Sequence, residues 1–203
     1  MRRARAVVLL LGVITAAACA RPALRPPGLV TDPGRRFSGR GFSVGPPVGD
    51  QWYVLRQEPA IVGFAKDLGG RGLHTVMVFV AAADSPTPIA TPEDLRAFVQ
   101  ETTRKDFDNP RFTAVASNVE AEAIAGASCV RMRFTAEDRG VAYAMASVFI
   151  LRGWQMVCVH PGSAGRGLVL VGASQRYLIT GRPAEIDGEV EAVLRTLRFE
   201  PLG

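Results

Sequence analysis

The chain is poor in side chains that bind metals or move protons: among 203 residues there are two histidines, His74 and His160, and three cysteines, Cys19, Cys129 and Cys158. None sits in an HxxxH, HxH or CxxC spacing, so no zinc ligand set is written locally into the sequence and no metal or other cofactor is expected. Lysine is scarcer than arginine: Lys66 and Lys105 leave twenty-two of the 24 basic residues as arginine. That bias carries no mechanism. Long apolar runs are missing too. The run Val7 to Ile14 falls far short of the ~20 residues a membrane-spanning helix needs. Without repeats, and with 48% apolar residues, the length suits one domain with a modest tail.

The N-terminus supplies an address. Arg2, Arg3 and Arg5 precede the apolar run, and Ala16-Ala17-Ala18 follows it, which is the layout of an export signal over residues 1–18. Cys19 comes next. Ala-Ala-Ala-Cys resembles a bacterial lipobox, with Ala16 where such boxes usually hold a bulkier residue; the resemblance implies that Cys19 is acylated and becomes the mature N-terminus. Ala20, rather than an acid, implies the outer membrane by the enteric sorting rule. The alternative is an ordinary secretory cut that leaves Cys19 as a thiol. Removing three arginines lowers the formal charge from +5 to +2, and no arginine cluster remains in the folded part. A nucleic-acid partner is therefore not expected. Residues 19–36, with Arg21-Pro22, Arg25-Pro26-Pro27 and Asp32-Pro33-Gly34, read as a flexible tether. The folded domain is expected over 37–203.

Within it, Gly41 to Val44, Trp52 to Leu55, Ala60 to Lys66 and Leu73 to Ala82 read as strands. Gly69-Gly70-Arg71-Gly72 joins two of them and opens no helix, so it reads as a hairpin turn, not a phosphate loop. Thr91-Pro92-Glu93-Asp94 predicts a helix start, and Leu95, Phe98, Val99 and Thr102 continue it at helical spacing until Asn109-Pro110. A strand bent near Asn118 leads into a meander of four runs: Cys129 to Phe134, Val141 to Leu151, Trp154 to His160 and Leu168 to Gly172. The turns expected between them are Glu137 to Gly140, Arg152-Gly153 and Pro161 to Gly167. The run Val141 to Leu151 is apolar on both sides, which makes it the expected central strand, covered above and below. A second helix is expected from Gly181-Arg182-Pro183, and a short strand from Leu197 to Glu200 closes the chain. The fold class is α+β, a largely antiparallel β-sheet with helices packed on its faces.

Gly41-Phe42-Ser43-Val44 with Pro46-Pro47 and Trp52, the Thr91-Pro92-Glu93 helix, the meander and the closing Leu194 to Phe199 resemble the Mog/PsbP-like α/β/α sandwich over roughly residues 37 to 201. That group includes bacterial envelope lipoproteins, so the resemblance implies an accessory, assembly or binding role and brings no catalytic residues. The expected function is a membrane-anchored cell-envelope lipoprotein facing the periplasm, with the membrane and an envelope protein as partners. The alternative is a periplasmic hydrolase or small-ligand enzyme using Ser174 and His160. Pairing His160 with Leu168 puts Ser174 opposite Trp154, ~20 Å from His160 along the strand, beyond the ~3 Å a base needs. The same register sets Arg176 beside the Trp154 ring, giving Trp154, His160, Ser174 and Arg176 as candidate ligand contacts. The meander separates Cys129 from Cys158 by two strand spacings, ~9.5 Å, with side chains on opposite faces, so two reduced thiols are expected.

Overall fold

The computed structural model describes residues 28–69, 72–124, 126–140 and 147–202. The strands are β1 (Phe37–Gly39), β2 (Phe42–Val44), β3 (Tyr53–Glu58), β4 (Ile61–Asp67), β5 (His74–Asp84), β6 (Phe112–Ile124), β7 (Ala127–Asp138), β8 (Phe149–Val159), β9 (Gly167–Leu178) and β10 (Arg198–Phe199). The helices are α1 (Pro92–Phe107) and α2 (Asp187–Thr196). Seven strands form one sheet in the order β3-β4-β5-β9-β8-β7-β6, antiparallel at every pairing. β1, β2 and β10 form a small second sheet. The chain is thus α+β, with one helix on each face of a largely antiparallel sheet.

The alternation of side chains along each strand divides the core in two. On the first face Val62, Phe64, Val78, Met156 and Val171 meet Val190, Val193 and Leu194 of α2 and Phe37, Phe42 and Val44 of the small sheet. On the second, Val130, Met132, Phe134 and Val157 meet Leu95 and Val99 of α1. α1 starts where its sequence says: Thr91 Oγ1 accepts from the Asp94 N–H at 3.1 Å and Asp94 Oδ2 accepts from the Thr91 N–H at 3.0 Å. The two bonds satisfy amide groups that a helix start otherwise leaves bare. α2 starts later than expected. The Gln175 amide holds the backbone of Ala184 in both directions, accepting at 2.8 Å and donating at 3.2 Å, so residues 184–186 stay non-helical and the helix waits until Asp187. Residues 28–36, read in sequence as tether, are bound to the domain: Val30 N–H donates to Trp52 O at 2.8 Å, and Arg36 Nη2 donates to Ser43 Oγ at 2.7 Å.

The meander is where sequence and structure part. β7 pairs directly with β8, Cys129 opposite Cys158 and Asp138 opposite Phe149, so no strand lies between them. The expected central strand, Val141 to Leu151, does not run between β7 and β8: residues 149–151 belong to β8 itself, Ser147 and Val148 are outside any strand, and residues 141–146 lie outside the described residues. Nor is Arg152-Gly153 a turn, since β8 runs straight through it. Its glycine serves a close approach: a Cβ on Gly153 would collide with the carbonyl oxygen of Ala173 and lie 2.9 Å from Ser174 Cα. Glycine inside a strand commonly marks such an approach.

With no strand between β7 and β8, the cysteines become cross-strand partners, and the expectation of two free thiols is overturned. Cys129 and Cys158 form a disulfide, with Cα atoms 4.1 Å apart and sulfurs 2.10 Å apart, among the residues of the α2-side core. Closing a loop with a sequence separation of 29 corresponds to ~3–4 kcal/mol in the loop-entropy relation. The expected outcome is that thiol labelling of the denatured, unreduced domain detects neither Cys129 nor Cys158, and that the double Ala variant loses stability of about this size in urea. Gly153→Ala should cost ~1–3 kcal/mol by overpacking, read as a lower midpoint in the same titration.

Candidate functional site

Two of the four candidate residues, Trp154 and Ser174, line a groove of about 550 Å3 on the first face, where the start of α2 stands beside β8, β7 and β6. Trp154, Ala173, Ile186 and Val190 supply its apolar lining, and Arg133, Arg152 and Asp187 its charged rim. The arrangement follows from the ladders. Arg133 stands opposite Trp154 on β7, and Ala173 opposite it on β9; directly opposed residues share a face. Arg131, two residues earlier, lays its guanidinium 4.9 Å from the centre of the Trp154 ring. It is held there by Glu122 at 2.7 Å and Glu191 at 2.9 Å. Buried to 8% exposure, this arginine is anchored against the Trp154 ring by carboxylates from β6 and α2.

The four candidates do not converge on one point. Trp154 and Ser174 both line the groove. Arg176 does not, because β8 and β9 pair one residue away from the expected register: Ser174 faces Gly153, Trp154 faces Ala173 and Arg176 faces Leu151. A one-residue slip exchanges the faces, so Arg176 and Trp154 lie on opposite sides of the sheet. The guanidinium over Trp154 belongs to Arg131, while Arg176 lies 5.5 Å from the Phe149 ring. Ser174 and Arg176 share a separate hollow on the second face, with Arg111 and Asp138.

His160 is far from Ser174, as the sequence reading held: seven residues of β8 separate it from Gly153, Ser174's partner, roughly 23 Å at ~3.3 Å per residue. It is also not at an open sheet edge. Its Nδ1 accepts from the Gly162 N–H at 3.0 Å, which leaves the proton on Nε2 to donate to Gly41 O at 3.0 Å and Glu200 O at 2.9 Å. At 5% exposure it pins the small sheet to the large one. His74 Nε2 lies 3.2 Å from Gln175 Oε1, in the clamp that shapes the approach to α2.

Two features escaped the sequence reading. Gly41 to Gly45 spells G-x-S-x-G, yet Ser43 stands within β2, not on a strand-to-helix turn, and donates to Glu200 Oε1 at 2.5 Å; no histidine activates it. The other is the ion pair of Arg111 and Asp138. Arg111 Nε and Nη2 donate to the two carboxylate oxygens of Asp138 at 2.6 Å each, and the Asp138 side chain is fully buried. No local spacing announces it, because β6 brings the arginine to the aspartate across the ladder. Burial pushes the Asp138 carboxyl up, but the Arg111 hydrogen bonds, the Gly140 N–H and the charges of Arg111 and Arg176 outweigh it and hold the group below its usual range.

The chain matches no protein-family model and no curated protein sequence. Among solved structures it is similar to LpqN, described as involved in cell envelope biogenesis of Mycobacterium tuberculosis, with a TM-score of 0.51 and 16% identity over 86% of this chain and 90% of that one. At that identity the likeness is one of fold. No helix among the described residues is long and apolar enough to cross a membrane.

On α1, Asp106 is the carboxylate with a raised affinity for protons: burial pushes it up to about 7 from 3.8. A raised acid pKa favours the fold at low pH, and that contribution is lost as pH rises through about 7. Asp106→Asn should therefore raise the melting temperature at pH 8 and leave it nearly unchanged at pH 4, as differential scanning fluorimetry across that range would record.

Proposed function

We propose that the chain is a cell-envelope protein with an accessory, non-catalytic binding role in envelope biogenesis, tied to a membrane by a lipid on Cys19 and facing the periplasm. The observation that carries the reading is the fold shared with LpqN across most of both chains. The order of elements that suggested the Mog/PsbP-like group in sequence, with Pro46-Pro47, Trp52 and the Thr91-Pro92 helix start, supports the finer assignment to that group. A disulfide between Cys129 and Cys158 suits an exported protein, because such bonds persist in oxidising compartments. The groove bordered by Trp154 and Arg152 is the surface this reading assigns to an envelope protein partner. Outer-membrane sorting follows from Ala20 in the position after Cys19.

Expression of the full chain in a bacterial host tests the anchor. The wild type should partition into detergent and incorporate labelled palmitate, while Cys19→Ala should do neither and fractionate with soluble periplasmic protein. Equal solubility of the two would overturn the lipid anchor.

A further inference from the structure

The two edges of the large sheet are guarded unequally. At one, β3 is six residues long, breaks register between Val54 and Arg56 and carries the exposed ion pair of Arg56 and Glu58. Residues 28–30 lie along its start, with the Val30 N–H donating to Trp52 O at 2.8 Å and the Val54 N–H to Gly28 O at 3.3 Å. A bulge, charges and a covering segment are devices that keep a strand edge from pairing with another chain. β6, at the other edge, has fewer of them. It is 13 residues long, with β7 as its one strand partner among the described residues. Beyond an irregularity between Thr113 and Ala116, its register with β7 runs unbroken to Ile124. No proline, glycine, lysine or arginine interrupts it. Its charges are Glu120 and Glu122, and both are neutralised on the first face, by Arg133 at 2.9 Å and Arg131 at 2.7 Å.

Nothing described closes over the middle of this strand. Ala116, Ser117, Asn118 and Ala121 are exposed. On the second face a groove of about 630 Å3 separates α1 from residues 115–119. On the first, the Trp154 groove reaches Ala116, Ser117 and Asn118. Every second residue of an edge strand turns both its N–H and its C=O outward, so β6 presents a row of backbone donors and acceptors with open space above and below it.

We propose that a second copy of this chain pairs here, β6 against β6 in antiparallel, about a twofold axis through Val119. Charge and the irregularity together select that register. In such a pair each residue faces the one equally far beyond the axis, and opposed residues share a face of the sheet. An axis through Glu120, Ala121 or Glu122 sets carboxylate opposite carboxylate, which destabilises the pair. Axes nearer either end of the regular stretch, through Ser117, Asn118 or Ala123, leave less of it to pair. An axis through Val119 keeps Ala116 to Glu122 inside the stretch and opposes no two acids. Asn118 then faces the partner's Glu120, an amide donor opposite a carboxylate; Ser117 faces the partner's Ala121, and the two Val119 side chains meet on the α1 side. The two seven-stranded sheets join into one, with both copies of α1 on the same face. This dimer goes beyond the envelope reading and does not depend on it.

Sedimentation equilibrium of the full chain carrying Cys19→Ala, disulfide intact and free of detergent, tests the pairing. A monomer–dimer equilibrium is expected at concentrations up to ~1 mM, the range in which contacts of small area associate. Adding Ser117→Lys together with Ala121→Lys, both at exposed positions, places like charges opposite one another twice in the dimer and should weaken association at least about tenfold. Ser117→Lys together with Ala121→Glu places opposite charges in the same two positions and should restore it. Both double variants should melt as the wild-type monomer does at low concentration, which separates lost pairing from lost folding. A monomer at every concentration, assembly beyond a dimer, a dimer indifferent to the two lysines, or equal weakening in the two double variants would overturn the pairing.

Discussion

The direct pairing of β7 with β8 is the constraint on which the rest of the molecule depends. It sets Cys129 opposite Cys158, so that the disulfide crosses between neighbouring strands. It sets Arg133 opposite Trp154, which places the rim of the groove over its floor. At the far end it brings Asp138 level with Phe149, on the face where Arg176 also lies. Because side chains alternate with period two, sliding this pair by one residue would exchange all three arrangements between the faces of the sheet at once.

Polar residues buried in the two layers are tied across elements rather than within them. Lys66 of β4 reaches Glu189 of α2 at 2.9 Å, and the same carboxylate accepts from Trp52 Nε1 at 2.7 Å. Arg131 is gripped by β6 and α2, and His160 binds two carbonyl groups of the small sheet. Removing one member of such a set strands the others in a low-dielectric interior, at a cost larger than the net gain from the intact contact. These contacts therefore specify how α2 and the small sheet sit on the large sheet, while the apolar cores on either side supply most of the driving force. On the other face, Arg111 grips the buried Asp138 in the same way, from just before β6 to the end of β7.

The sequence by itself determined the class of fold and most of its elements. Thr91-Pro92-Glu93-Asp94 carries its cap in four consecutive residues, so α1 begins where read. The runs that became β4, β5 and β9 are legible because apolar residues fill both faces of strands covered on both sides. The separation of Ser174 from His160 was also legible, since it needs only the length of one strand and the place of one loop. What the tertiary structure alone decided is which glycine turns the chain and which lets two backbones approach. Gly153 looks in sequence like a hairpin glycine, yet it is fixed by Ala173 and Ser174, about twenty residues away. From that one reading followed an extra strand and cysteines on opposite faces, while Arg176 was set beside Trp154 by a separate one-residue error in the pairing of β8 with β9. Local sequence encodes the conformations a residue can adopt; the partner strand, distant in the chain, decides which of them is used.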